Sequence, residues 1–408
     1  MRTIVEQTRR GDIPPPVMAV AHAEQVSLQT LRDNVAAGKA VIMVRGDRAV
    51  GIGEGLSTKV NVNLGTSTMK ISIGDELQKA RLAEEFGADT ISDLSMGGDI
   101  DGIRKAIFDC TTLPITTVPI YQAAAGIGLR DMTADDIIGT LRKQVEQGVS
   151  SCVIHCVNHA MLDSLRKHRR VLGVVSKGGS ITSAFMIKNK CENPFIERFD
   201  DVVSICRKYD VVLSLGNTAR SGCIHDRRDW AQREELRQNT ELAERAHKKG
   251  VSVIIEGAGG HIRADRIAPY IRYYKRRTRF PLFVAGPLPT DIALGYDHIA
   301  GCTGAATASS AGADYLCYLT PAEHLGLPGP DAVREGLIAF RIAAHIGDIV
   351  KYGRDSKDRE IAEMRAALDR EGQIRCALDP DRAKALSDGG PECTMCGEFC
   401  AIRMMREL

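Results

Sequence analysis

Net charge is nearly absent from this sequence: 54 Lys and Arg stand against 52 Asp and Glu, leaving +2 over 408 residues. So small an imbalance creates no broad field, and neither nucleic acid nor a membrane surface is expected as a partner. Long apolar runs are missing as well; none approaches the roughly 20 residues that a membrane-spanning helix needs. The opening stretch MRTIVEQTRRGDIPPP holds no apolar segment of the secretory kind. No internal repeat or low-complexity tract is present. In an unsecreted chain, the 12 cysteines point to a reducing, cytoplasmic setting, where thiols serve as core residues or metal ligands.

What is there is alternation. Short β-branched runs, TKVNVNLG, ADTISDLS, TTVPIY, SCVIHCV, VLGVVS, VVLSLG, VSVIIEG, LFVAGP and DYLCYLT, are separated by amphipathic stretches such as DELQKARLAEEFG and REELRQNTELAERAHKKG. Continuous β-branched runs suit buried parallel strands. The pattern predicts an α/β fold, a (β/α)8 TIM-like barrel over 56–350, with an N-terminal extension over 1–55 and a helical, cluster-binding segment over 351–408. Nine runs exceed eight strands, so one is extra or misread. The rival is a doubly wound open sheet. Against it, VIIEGAGGHIRA lacks the third glycine and the acidic residue of a dinucleotide-binding loop. In the last segment, DREIAEMRAALDREGQIRCAL and DPDRAKALSDG read as two charged helices.

Polar residues collect where these runs end: Asn61 and Asn63, Asp93 and Ser95, Tyr121, His155, Ser176 and Lys177, Asn217 and Arg220, and Glu256. In a barrel those ends share the rim that carries catalytic residues, although turn chemistry also favours Asn, Ser and Gly there. VVSKGGSIT reads equally as a phosphate-cupping strand and Gly-rich loop with Lys177 adding charge, or as a plain glycine turn. His261 and His324 are candidates for a divalent metal as neutral imidazoles, against the plainer reading of surface or structural histidines.

The sharpest motif is CTMCGEFC. Cys393, Cys396 and Cys400 supply three thiolates at short spacing beside Gly397. A structural zinc site needs four ligands, whereas three cysteines suit three irons of a 4Fe–4S cluster, leaving one iron open to a small molecule. If the segment is helical, positions i, i+3 and i+7 fall on one face. A distant fourth ligand completing a zinc site is the alternative.

Taken in order, VNVNLGTS, DLSMGGDI, VPIYQA, VIHC, VSKGGS, LSLGNTARSGCI, IEGAGGHI, GPLPTDIALGYDHI, ADYLCYLTPAEHLGLP and CTMCGEFCAI resemble the phosphomethylpyrimidine synthase family of thiamin biosynthesis, from about Gly51 onward. That family belongs to the radical S-adenosylmethionine enzymes, with its cluster cysteines in the C-terminal segment. The resemblance implies a homodimer of (β/α)8 barrels whose tails are exchanged between protomers. It implies a 4Fe–4S cluster, S-adenosylmethionine, an external electron donor and 5-aminoimidazole ribotide as substrate, from whose ribose a 5′-deoxyadenosyl radical takes hydrogen. Position by position, it implies substrate contacts at Asn63, Tyr121, His155, Ser176, Lys177, Gly178, Arg220, Glu256 and Phe283. It implies a zinc or iron ion on His261 and His324, and the cluster on Cys393, Cys396 and Cys400.

Departures from the family pattern gather on substrate-facing loops. Met96 stands for the threonine of DLSTGGD. Lys177 stands for the arginine of SRGGS and loses a bidentate fork. Asn217 lies where GDGLRPG carries an acid, EGPGH has become EGAGGH, and Phe283 replaces a tyrosine. The NINH segment is missing, and VRGD lies in its place. With the cysteine motif intact, this distribution suggests a paralogue with a re-shaped pocket, in which Glu256, Arg220 and Asn217 act in catalysis. The expected reaction is that of 5-hydroxybenzimidazole synthase, in anaerobic cobamide lower-ligand synthesis. The first alternative is phosphomethylpyrimidine synthase itself. The alternative of another class is a zinc-binding, non-catalytic barrel protein.

Overall fold

Eight of the nine β-branched runs form strands, buried along nearly their whole length. A computed structural model describes residues 2–167, 170–226, 228–387 and 393–406. Two strands form an antiparallel hairpin, β1 (Ala40–Arg45) and β2 (Arg48–Gly53). Eight more follow: β3 (Lys59–Leu64), β4 (Thr90–Asp93), β5 (Ile115–Thr117), β6 (Ser151–Ile154), β7 (Val212–Leu215), β8 (Val253–Glu256), β9 (Leu282–Ala285) and β10 (Tyr315–Cys317). These eight close a parallel barrel in sequence order, β10 pairing with β3, so the (β/α)8 expectation holds and the open sheet does not.

Alternation sorts each strand between two cores. Val60, Val62 and Leu64 face the surrounding helices, where they join the large cluster with Ile91, Ile115 and Ile255. The intervening residues face the barrel axis. There Asn61 is fully buried, and its side-chain oxygen accepts from Thr90 Oγ1 (2.9 Å), Ser92 Oγ (3.1 Å) and the Tyr315 hydroxyl (3.2 Å).

The hairpin was not legible in the mixed opening segment. Val41, Met43, Val50 and Ile52 pack against Val212, Ile254 and Tyr315, plugging the end of the barrel where the strands begin. Its other face, Ala40 and Ile42, packs on Val17, Val20, Leu31 and Val35 of the preceding helices. Among the described residues the hairpin covers that end, and the opposite end, where the strands finish, carries the cavity described below.

One of the nine runs is not a strand. VLGVVS is irregular at 171–176, with Val171 72% exposed. A closed ring of eight has no free edge for a ninth strand to pair with. The VVSKGGSIT reading as strand plus loop is corrected accordingly: Ser176 is the N-cap of a helix Lys177–Asn189, its Oγ accepting from Gly179 N at 3.2 Å. Tyr121 likewise lies inside a helix, Pro119–Ile127, because Pro119 at the first helical position suits a helix start.

The chain divides into two compact units, Met1–Gly347 and Asp348–Leu408. The two stretches expected to be one helix each hold three, Ser356–Ala366, Arg370–Cys376 and Pro380–Ala385. Leu368 takes a left-handed φ of 57°, and Asp369 caps the next helix through Gly372 N at 2.8 Å, so the first stretch breaks there. Further on, a 3-10 turn Gly397–Phe399 and a helix Ala401–Arg406 follow the first two cysteines of the motif. The three sulfurs therefore do not share one α-helical face. No helix among the described residues is long and apolar enough to cross a membrane.

Candidate active site at the barrel mouth

A cavity of about 340 Å³ opens at the strands' C-terminal ends. Asn63, Tyr121, His155, Ser176, Asn217, Arg220, Glu256, His261, Phe283 and His324 all line it. Lys177 and Gly178 stand just behind: Lys177 Nζ sits 5.2 Å from the Tyr121 ring centroid, and Gly178 packs on His155. Asp93, expected at the rim, is instead used structurally. Its Oδ2 is 3.1 Å from Arg104 Nε, a fully buried pair whose guanidinium also donates to Gln122 and Gln147.

Strand register supplies the floor. Asn63 Nδ2 points at Cys317 Sγ (3.0 Å), and the Tyr318 hydroxyl donates to the Asn63 carbonyl (2.9 Å). Burial pushes the Cys317 thiol up to about 12, so it stays protonated and acts as a small apolar wall. Phe283 stacks on Tyr315 with ring centroids 4.0 Å apart. Lacking a hydroxyl, it gives this wall no hydrogen bond.

Charge enters from the loops. Arg220 has no ion pair among the described residues, yet its charge acts on Tyr121, His155, Glu256, Cys317 and Glu323. Burial, with help from Arg220, drives His155 down to about 3, so its ring is neutral. Its Nδ1 has no partner among the described residues and is available to a ligand. Burial raises the Glu256 carboxyl, against the Ser214 hydroxyl, 2.8 Å from Oε1, and Arg220. It also raises Glu323. Two carboxyls with raised proton affinity facing one guanidinium make a mouth able to hold and move protons.

Asn217 owes its place to a residue that sequence patterns did not single out. Its Nδ2 donates to Glu235 Oε2 at 2.6 Å, and Glu235 also accepts from Thr218 N (2.6 Å) and Ala219 N (3.1 Å). Glu235, on the helix Trp230–Lys248, therefore pins the loop that carries Arg220. It was missed because one glutamate in a charged helix looks like solvated surface. Glu323 was more accessible to reading, since it directly precedes His324.

Pairing continues past the strands and places the histidines. Ser221 bridges Gly260, and His261 bridges Leu288. Gly260 adopts φ +86°, and a Cβ there would collide with the Ser221 carbonyl, so glycine is required. The His261 and His324 rings lie 5.1 Å apart. His261 Nδ1 is 2.7 Å from Asp291 Oδ1, and His324 Nδ1 is 3.4 Å from Asp297 Oδ1. A carboxylate behind each Nδ1 leaves both Nε2 atoms for a metal, the usual support for metal-binding imidazoles. Burial lowers His261 despite Asp291, which favours the neutral ligand form. Asp297 Oδ2 has no partner among the described residues, a further donor at this site. The pair thus fits a divalent cation.

In the C-terminal unit, Cys393 and Cys396 are exposed, Cys400 is half-buried, and all three are free thiols. Gly397, at φ 52°, turns the backbone between Cys396 and Cys400. Three unblocked sulfur donors on a tight turn fit a 4Fe–4S cluster with one open iron.

The radical SAM ThiC family profile matches residues 3–407. The chain is 45% identical over 419 residues to the phosphomethylpyrimidine synthase of Dehalococcoides mccartyi (strain BAV1), covering 98% of this chain and 97% of that one. Two Geobacter metallireducens proteins are similar at nearly the same level, each over 422 residues covering 99% of this chain and 97% of the relative. One is a phosphomethylpyrimidine synthase at 45%, the other a 5-hydroxybenzimidazole synthase at 44%. A family match across nearly the whole chain, a closed barrel with its polar mouth and three free tail thiols lead to one conclusion: the chain belongs to the radical SAM ThiC family.

Proposed function

We propose that this protein is a cytoplasmic radical S-adenosylmethionine enzyme converting 5-aminoimidazole ribotide to 5-hydroxybenzimidazole. In this reading 56–350 is the catalytic barrel, 1–55 an N-terminal extension and 351–408 the cluster-bearing segment. Cys393, Cys396 and Cys400 hold the 4Fe–4S cluster. When bound and reduced by an external donor, the cluster supplies the electron that splits S-adenosylmethionine into methionine and a 5′-deoxyadenosyl radical.

The chain's own residues bind, orient and shield. The N-terminus of the helix Lys177–Asn189, with Ser176, Lys177 and Gly178, receives the substrate phosphate, since backbone N–H groups and the helix dipole favour an anion there. Asn63, Tyr121 and His155 contact the imidazole and ribose. Arg220 fixes anionic character in the intermediate, and Glu256, with its raised carboxyl, takes and returns a proton. Asn217 positions the Arg220 loop. His261 and His324 hold a zinc or iron ion beside the site. Two chains associate, each tail serving the partner's barrel. Exposed Ile292 and Leu325 in the rim loops, and exposed Met395 and Phe399 in the tail, support this by offering apolar surface on both sides.

The observation that carries the benzimidazole reading is Asn217 on Glu235. An acid at position 217, as in the thiamin pattern, would put two carboxyls together and oblige one to keep a proton. The amide substitutes a fixed donor and removes an ionisable group from the mouth. The second reading, formation of hydroxymethylpyrimidine phosphate, is favoured by the relatives that carry the name phosphomethylpyrimidine synthase. Anaerobic incubation of reconstituted protein with aminoimidazole ribotide, S-adenosylmethionine and dithionite separates the two. 5-Hydroxybenzimidazole is the product expected by mass spectrometry, and hydroxymethylpyrimidine phosphate as the main product overturns the first reading.

A further inference from the structure

Beside the two-histidine pair lies a second set of ligands that the reaction does not use. Cys223 and His225, two residues apart in the loop after β7, meet Asp291 in the loop after β9. One ligand atom from each lies within 4.8 Å of the others. We propose that Cys223, His225 and Asp291 form a binding site for a thiophilic divalent cation of the zinc type, clasping these two loops together.

Four features of the structure support it. First, the donor set is right: one sulfur, one imidazole and one carboxylate are three-protein-ligand zinc chemistry, with a fourth position left for water. Tetrahedral bonds of about 2.0–2.3 Å put ligand atoms about 3.5 Å apart, so the site closes with shifts of an ångström or so. Second, the Cys223 sulfur lies in a polar turn. The backbone N–H groups of His225 and Asp226 face it, donors that suit a metal-bound sulfur, while burial holds the free thiol up until a cation displaces its proton. Third, Asp291 is held in place but not used up. Its Oδ2 accepts from Ile224 N at 3.0 Å and its Oδ1 binds His261 Nδ1 at 2.7 Å, and each carboxylate oxygen keeps a lone pair for a cation. Fourth, water reaches the site. His225 and His261 line a separate cavity of about 980 Å³, together with Arg228, Arg263 and Tyr270. Asp226, the other acid nearby, accepts from the Val171 and Leu172 amides and also meets the Cys223 thiol.

The site is distinct from the pair His261 and His324, and it stands whether or not that pair carries metal. The shared element is Asp291, which would touch the cation with one oxygen and orient the His261 imidazole with the other. Occupancy would therefore stiffen both the Arg220 loop and the His261 ring.

Cobalt(II) reports on this directly, because a thiolate ligand produces near-ultraviolet charge-transfer absorption that histidine and carboxylate ligands do not. The full chain with Cys393→Ser, Cys396→Ser and Cys400→Ser removes the tail thiols and is titrated with cobalt(II) without oxygen. We expect the band to saturate at one cobalt per chain, to vanish with Cys223→Ser, and to need on the order of a hundredfold more cobalt with His225→Ala. It should persist with His324→Ala. His225 is exposed, so His225→Ala is expected to fold, checked by circular dichroism, and decides the matter if Cys223→Ser does not. A band that survives these two substitutions, or no band at stoichiometric cobalt, overturns the proposal.

Discussion

Glu235 is 1% exposed and receives N–H groups from three successive residues, yet burial still pushes its carboxyl up to about 7. Unfolded, a glutamate keeps its proton only below about 4.5. Between those values the folded state binds more protons, so this residue makes stability fall as pH rises, by roughly 3 kcal/mol across the window and no further above it. Glu235→Gln should remove that slope. Urea unfolding of both proteins at about pH 5 and about pH 8 tests it, and an unfolding difference constant with pH would refute the assignment. Asn217→Asp should act oppositely, placing a second acid on Glu235 and destabilising the protein by about 1–3 kcal/mol above neutral pH, measured in the same way. Polar residues at strand ends were readable one by one. Which of them face a ligand was not, because Asp93 belongs to Arg104 and Asn217 to Glu235, partners that the strand pattern does not reveal.

At the scale of elements, the first turn of the helix Lys177–Asn189 presses Gly178 against the His155 ring. A methyl group there has no room, and His155, fixed from behind by Asn193 holding its carbonyl at 2.8 Å, cannot retreat freely. Gly178→Ala is expected to cost about 1–3 kcal/mol in chemical denaturation and to reduce turnover at least about tenfold by displacing the imidazole. In β3, Asn61→Leu would strand the Ser92 hydroxyl at the barrel axis and leave the Thr90 and Tyr315 hydroxyls only each other, a loss of roughly 1–3 kcal/mol by the same measurement. The eight true strands were legible from their β-branched runs. VLGVVS mimicked them because its valines and leucine are apolar for another reason: Leu172 and Val175 wall the cavity. The hairpin at 40–53 escaped notice because its two faces serve different cores, so neither stood out as a single buried stripe.

For the whole molecule, catalysis and barrel stability are expected to separate. Cys396→Ser should abolish turnover and most of the iron bound after reconstitution, while the main thermal transition of Met1–Gly347 stays put, since that unit has its own core. Iron analysis beside calorimetry checks this, and undiminished iron and turnover would remove the cluster assignment. The sequence by itself determined the ring of strands, because period-two burial and β-branched runs are local properties. It also determined the cysteine motif, whose three thiols lie within eight residues. Only the tertiary structure decided the chemistry of the mouth. Whether a carboxyl is ionised, an imidazole neutral or an amide occupied depends on burial and on partners far along the chain, as with Asp291 and His261 or Asn63 and Cys317. Those proximities exist only once the barrel has closed.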